Sequence, residues 1–212
     1  IPLLKDYSTT GLPLIISCGM ANLDEIQQTL KAIGALENYP TVLMLTTSEY
    51  PTVPTSVNLL KLETLSKSFP NIPLGYSDHT QGILASSLAV ALGAKVFEKH
   101  FTLDKNLPGP DHWFSEDPVG LKNWIDSIRS ATTMLGSAEV KPTEKEERVK
   151  ILARRSVVAL RDINQGELFD QNNIGPRRPG NGLSAIMIEE IFGKKSTKKI
   201  SKGDLLKIGD FA

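Results

Sequence analysis

Ile72-Pro73-Leu74-Gly75-Tyr76-Ser77-Asp78-His79-Thr80 is a short, mostly apolar run that turns polar at its end. Beyond Gln81-Gly82 it passes into a small apolar segment, Ile83 to Leu92, closed by Gly93. A run of strand length, a polar strand end and a segment of helix length together read as one βα unit. Three similar runs flank it, Leu12–Cys18 and Thr41–Thr47 before it and Lys95–Phe101 after it, each followed by a helical pattern. In the first unit Asn22 and Glu25 frame a helix start, with Leu23, Ile26, Leu30 and Ile33 on one face. In the second, Val57, Leu60, Leu62, Leu65 and Phe69 mark a helix, and the last helix is expected from Pro118 to Leu135, stopping at Gly136. This βαβα rhythm predicts a parallel sheet with right-handed crossovers. Four units are half of an eight-fold barrel and equally a small open doubly wound sheet, and periodicity does not choose between the two.

Further along, the pattern changes. Lys141–Lys150 is polar and charged and reads as a linker or an exposed helix. After it come short strand-like pieces broken by Gly and Asp or Asn: Val157–Leu160, Asp162–Gly166 and Lys198–Gly203. The related stretches Asp162-Ile163-Asn164-Gln165-Gly166-Glu167 and Lys199-Ile200-Ser201-Lys202-Gly203-Asp204 predict two similar turns. The expected organisation is an α/β domain over 1–140, a linker over 141–150 and a compact β-rich module over 151–212.

The chain has 212 residues with 40% hydrophobic content, enough to bury a sizeable core. Lys plus Arg (24) equal Asp plus Glu (24), so no global charge draws the chain to nucleic acid or to an anionic membrane. An anionic ligand must be held by local groups. The single Cys18 excludes an internal disulfide framework and a multi-cysteine zinc site, which agrees with a reducing, cytoplasmic setting. There is no apolar run of about 18 residues and no signal-peptide pattern at Ile1-Pro2-Leu3-Leu4-Lys5. With no initiator Met, residues 1–212 are expected to be a piece of a longer chain.

Ligands of parallel α/β folds bind at the carboxyl ends of the strands, so the polar strand ends carry the chemistry. His79 and His100 close adjacent strands and can converge on one divalent metal, leaving positions open; each reads equally well as a hydrogen-bonded strand-end residue. Alternation puts Glu98 on the face of His100, where it can orient a water. Ser17, Ser48 and Ser77 can cradle a phosphate or carboxylate, or simply cap helices. Asp78 can hold a histidine or cap the third helix. Tyr50-Pro51 stiffens one wall of a pocket or forms a plain turn, and Asp111 can accept from sugar hydroxyls or sit in a surface turn. Trp113 and Phe114 read as lid or core packing, and Cys18 as a buried strand residue. Arg178, in Arg177-Arg178-Pro179-Gly180-Asn181-Gly182, can reach a neighbouring site; Lys194, Lys195, Lys198 and Lys199 read as a solvated face.

In order and spacing, Ser17-Cys18-Gly19-Met20, Thr47-Ser48-Glu49-Tyr50-Pro51, Gly75–Thr80, Glu98-Lys99-His100-Phe101-Thr102 and Gly109-Pro110-Asp111-His112 resemble the N-acetylneuraminate (sialic acid) synthase family. The tail, with Ala153-Arg154-Arg155-Ser156 and Arg178–Gly182, is similar to that family's antifreeze-like (SAF) domain. The resemblance implies the last four units of a (β/α)8 TIM barrel followed by a small β-clip domain, swapped onto the partner's site in a homodimer. It implies a transferase that condenses phosphoenolpyruvate with an N-acylated amino sugar, of the N-acetylmannosamine type, giving a nine-carbon 2-keto acid and phosphate. His79 and His100 would bind the metal, Mn²⁺ before Mg²⁺ or Co²⁺. Ser17, Ser48 and Ser77 would contact phosphoenolpyruvate, Tyr50 and Asp111 the sugar, and Arg178 the N-acyl group in the other subunit. Among the residues of this chain, Glu98, placed by alternation beside His100, is the candidate catalytic carboxylate.

Two other readings remain: a legionaminic or pseudaminic acid synthase using a diacetamido sugar, and a non-catalytic sugar-binding module. The family's Ser-Thr-Gly-Met is Ser17-Cys18-Gly19-Met20 here, Thr46 stands where a Cys is frequent, and Trp113-Phe114-Ser115 replaces smaller residues. The family's first four units, with a catalytic Glu and phosphate-binding Lys residues, are absent from these residues. By itself, therefore, the chain is expected neither to close a barrel nor to turn over.

Overall fold

A computed structural model describes residues 1–212, which divide into two compact units, Ile1–Ser137 and Ala138–Ala212. The first begins with a short helix, α1 (Pro2–Ser8), that the sequence pattern does not announce. It then alternates β1 (Leu14–Ser17), α2 (Leu23–Ala32), β2 (Thr41–Thr46), α3 (Pro54–Val57), α4 (Lys61–Ser68), β3 (Leu74–Asp78), α5 (Leu84–Ala91), β4 (Val96–Lys99) and α6 (Pro118–Leu135).

The four strands are all parallel and lie in the order β1-β2-β3-β4. A doubly wound sheet reverses its strand order at a switch point; this one does not, and its order is that of a parallel half-barrel. Residues on one side of the strands, Ile16, Leu43, Leu45, Leu74 and Tyr76, are buried with Ile26, Leu30, Leu62, Leu65 and Ala89 of the helices. Strand alternation turns Ser17, Thr46, Ser77 and Glu98 to the opposite side.

Local signals set the helix ends. Asn22 and Glu25 form a reciprocal capping box on α2, at 3.0 and 2.8 Å. Asp117 accepts from Gly120 N at 2.7 Å to open α6, and Gly136 closes it. The single helix expected over Val57–Phe69 is instead two: Asn58 takes a left-handed conformation (φ 48°) and breaks it, leaving Leu60 69% exposed. The fourth strand is also shorter than expected. It ends at Lys99, so His100 begins the loop, and Phe101 makes one isolated bridge to Glu116.

The second unit opens with α7 (Glu144–Ala153), capped by a Thr143–Glu146 box, so most of the stretch read as linker or exposed helix is helical. β5 (Ser156–Ala159) pairs antiparallel with β6 (Ile174–Arg177), and one further helical turn, α8 (Ile188–Ile191), follows. Val157, Ile163, Phe169, Ile174, Ile191, Ile200 and Leu206 form its core. The stretches Asp162–Gly166 and Lys198–Gly203 are not regular strands; they meet at one antiparallel bridge, Ile163 to Ile200. Their turns close alike: Asn164 N donates to Glu167 Oε2 at 2.9 Å, and Ser201 N to Asp204 Oδ2 at 3.1 Å. No helix of the chain is long and apolar enough to cross a membrane.

Candidate active site

Ser17, Thr46, Ser48, Tyr50, Ser77, His79, Glu98, His100 and Asp111 line one cavity of about 420 Å³ at the carboxyl ends of the strands. Register builds its floor. Thr46 pairs with Ser77 across β2 and β3, and Ser77 with Glu98 across β3 and β4, so the three side chains stand in a row. Ser77 Oγ donates to Glu98 Oε1 at 2.6 Å and lies 3.4 Å from His79 Nε2.

His79 is held from three sides. Its Nδ1 is 2.8 Å from the Thr47 carbonyl, which can only accept, so Nδ1 carries the proton and Nε2 keeps its lone pair for the cavity. Thr52 N donates back to the His79 carbonyl at 2.9 Å, binding the loop after β2 to the end of β3. Tyr50, beside a cis Tyr50-Pro51 bond, stacks on the imidazole with centroids 4.4 Å apart. Burial pushes the His79 pKa below its ordinary value, against the raising effect of the Thr47 carbonyl; nearby His100 lowers it further, while Asp78 and Glu98 act the other way. The neutral, ligand-competent ring is therefore favoured at neutral pH.

The His100 ring lies edge-on to His79, with centroids 5.0 Å apart, and against Phe114 at 5.1 Å. Its Nδ1 is 3.6 Å from Asp111 Oδ2, an electrostatic contact rather than a hydrogen bond. Two imidazoles this close, one with its tautomer set by a carbonyl, fit a divalent ion that takes two protein nitrogens and fills its other positions with water or ligand oxygens. No third His, Cys, Asp or Glu joins them to complete a ligand set.

Asp78 neither holds a histidine nor caps α5. It points to the helix side, fully buried, and accepts from Thr80 N and Oγ1 at 2.8 and 2.7 Å, Ser86 Oγ at 2.6 Å and Trp124 Nε1 at 3.3 Å. Lys99 Nζ meets it at 3.1 Å and also donates to the Thr80 carbonyl. Of this group the sequence reading assigned no role to Lys99, Ser86 or Trp124, although strand alternation already turns Lys99 away from Glu98. Phe114 is buried at the site and Trp113 is 54% exposed, so packing describes the first and not the second. Cys18 is buried, with its thiol pKa raised chiefly by desolvation.

Arg178 belongs to the second unit. Its Nε donates to the Ala153 carbonyl at 3.0 Å, and buried Ser156 ties down the same turn, donating to the Pro179 carbonyl at 2.8 Å and accepting from Gly182 N at 2.9 Å. The lysine cluster is likewise there, with Lys194 over the Phe211 ring at 5.0 Å and Lys198 paired with Asp210 at 2.7 Å.

The sequence model of the NeuB family matches residues 1–140, and that of the SAF domain matches residues 154–212. N,N'-diacetyllegionaminic acid synthase of Legionella pneumophila is 42% identical over 211 residues, covering 97% of this chain and 59% of the relative. Human N-acetylneuraminate-9-phosphate synthase is 35% identical over 209 residues, covering 97% and 57%. The crystal structure of spore coat polysaccharide biosynthesis protein SpsE from Bacillus subtilis superposes with a TM-score of 0.61 at 32% identity, over 100% of this chain and 64% of that one. The chain thus spans about three fifths of the length of the curated relatives it matches.

Proposed function

We propose, for a chain that belongs to the NeuB family and carries a SAF domain, that it is part of a synthase condensing phosphoenolpyruvate with an N-acylated amino sugar to a nine-carbon 2-keto acid. The observation that carries this reading is the pairing of His79 and His100, 5.0 Å apart, in one cavity with three serine hydroxyls and Glu98. A closed (β/α)8 barrel, completed by residues beyond this chain, is part of the proposal.

In this reading Ser17 and Ser48 hold the phosphoenolpyruvate oxyanions, joined by Ser77 when its one proton turns from Glu98 to the ligand, while Tyr50 and Asp111 hold the sugar with its aldehyde carbon beside C3 of the enol. That placement supplies the proximity a two-substrate condensation needs. A divalent ion, Mn²⁺ first, held by His79 and His100, would supply Lewis acidity at the sugar's carbonyl oxygen. C3 attacks the aldehyde carbon, whose oxygen takes up a proton to become a hydroxyl; water adds at C2, and the bond from C2 to the phosphate-bearing oxygen breaks, releasing phosphate as the added hydroxyl loses its proton and becomes the 2-keto oxygen. Glu98, freed as the Ser77 proton turns to the anion, takes the proton from that water. In a homodimer, Arg178 of the second copy would meet the N-acyl group. The single free Cys18 supports assigning the reaction to the cytoplasm.

N-acetylmannosamine is the first sugar to test. A diacetamido hexose is the second, favoured by the similarity to the Legionella synthase at 42% identity. The test is phosphate release by the full-length gene product with phosphoenolpyruvate, Mn²⁺ and each sugar in turn, for wild type, His79→Ala and His100→Ala. Sugar-dependent release lost in both variants is the expected result. Release with no amino sugar at all, or activity that survives both substitutions, defeats the reading; sugar binding without release would point to a binding module.

A further inference from the structure

We propose that the hydroxyl of Thr46 is a fourth donor to the anionic substrate, acting beside Ser17, Ser48 and Ser77. The inference rests on the functional reading above and adds a residue to its anion site.

Thr46 is the last residue of β2 and is 8% exposed. Its Oγ1 is buried and has no hydrogen-bond partner, the one side-chain polar atom of the chain in that position. Buried hydroxyls ordinarily find a carbonyl or another side chain, because leaving one unpaired forfeits its hydrogen bonds to water. Nearby hydroxyls follow that rule: in the cavity Ser77 Oγ donates to Glu98, and in the loop after β2 Thr52 Oγ1 donates to the Glu49 carbonyl at 2.9 Å. Valine would fill the same volume on a strand without the loss, so nothing in the packing calls for a hydroxyl here.

Position points to the missing partner. Thr46 lies in register with Ser77, on the face that carries the cavity, and itself lines that cavity. Its methyl group is turned toward Gly19, where an added Cβ would meet Cγ2 at 2.9 Å and Ser48 Oγ at 2.6 Å. Gly19 therefore lets the turn after β1 close onto both side chains, bringing the end of the Ser17 strand against Thr46 and Ser48. No lysine or arginine of this chain lines the cavity, so hydroxyls and backbone N–H groups are what it offers an oxyanion. An anion seated among these serines would give Thr46 Oγ1 the acceptor it lacks.

Thr46 also borders a second cleft, of about 310 Å³, on the helix side beside Cys18 and Lys61. The experiment separates the two. In the full-length gene product, phosphoenolpyruvate binding is measured by calorimetric titration, and thermal unfolding is followed without ligand, for wild type, Thr46→Val and Thr46→Ser. The expected result is roughly 10- to 100-fold weaker binding in Thr46→Val, the range for losing one hydrogen bond to a charged acceptor, with the unfolding midpoint unchanged or raised. Thr46→Ser restores binding. Wild-type affinity in Thr46→Val, or an unfolding midpoint that falls with the hydroxyl, overturns the proposal. A wild-type protein that does not bind phosphoenolpyruvate overturns the synthase reading and this inference with it.

Discussion

Asp78 and Lys99, each the residue immediately before a site histidine, are partners in the β3–β4 register and join at 3.1 Å, with their side chains 0% and 2% exposed. The ion pair lies on the helix side of the sheet, and Lys99 also binds the Thr80 and Gly82 carbonyls of the loop that follows His79. Removing one partner leaves a buried charge with no counter-charge. Lys99→Met is expected to cost about 3–5 kcal/mol, read from urea denaturation. The double variant Asp78→Asn/Lys99→Met should recover part of that loss; equal losses would mean that the neutral donors around Asp78 suffice without the cation.

Glu98 accepts the one hydroxyl proton of Ser77, so the proposed base and a proposed anion donor share that proton. Glu98→Gln keeps the shape and removes the base. Phosphate release should fall by about 10²–10⁴-fold while phosphoenolpyruvate affinity changes only a few-fold. A parallel loss of affinity would assign Glu98 to positioning Ser77 rather than to proton transfer.

If the two nitrogens that this chain brings together are the protein's ligands to the proposed ion, the remaining positions would be exchangeable. Dialysis against a chelator should abolish turnover, and added Mn²⁺ should restore it without refolding, with far-ultraviolet circular dichroism unchanged throughout. Loss of secondary structure on chelation would make the ion structural.

Burial raises the Cys18 thiol above its ordinary 9.0, with the Thr46 backbone and Lys61 opposing the shift. The neutral thiol is thus favoured by folding: its contribution to stability is complete below about pH 9 and is lost as pH rises from there through the raised folded value. In the native protein near pH 8, alkylation of Cys18 should be at least about tenfold slower than in urea, followed by mass spectrometry of the modified peptide. Equal rates would show an accessible thiol.

In the second unit, Gly180 donates to the Ile151 carbonyl at 2.7 Å, and a Cβ there would meet Arg154 Cβ at 2.6 Å and its carbonyl carbon at 3.1 Å. Gly180→Ala should therefore cost about 1–3 kcal/mol by overpacking. The readout is faster amide exchange in β5 and β6, with β2 and β3 unaffected.

Much of the fold was legible because its signals are local. Asn22 and Glu25, three residues apart, announce α2; Pro118 and Gly136 bound α6; alternation places Glu98 and Lys99 on opposite faces. The strand ends were equally plain, since an apolar run turning to Ser77-Asp78-His79 is visible without neighbours. Where reading along the chain failed, the deciding contact was distant or conformational. The break at Asn58 depends on a left-handed residue inside an apolar spacing that runs on as if for one helix. Local reading offers Asp78 a neighbouring histidine or the cap of the third helix, whereas its partners include Lys99 and Trp124, the latter 46 residues on.

The sequence by itself determined the βα rhythm, the change of character after residue 140, and the set of polar side chains delivered to the strand ends, because periodicity and capping act within a few residues. Only the tertiary structure decided the continuous β1-β2-β3-β4 order, the row of Thr46, Ser77 and Glu98, and which of the hydroxyls is left without a partner. A hydroxyl's state is set by distances of a few ångströms to atoms on other strands, and strand register, which pairs residues some twenty to thirty apart in the chain, is what fixes those distances.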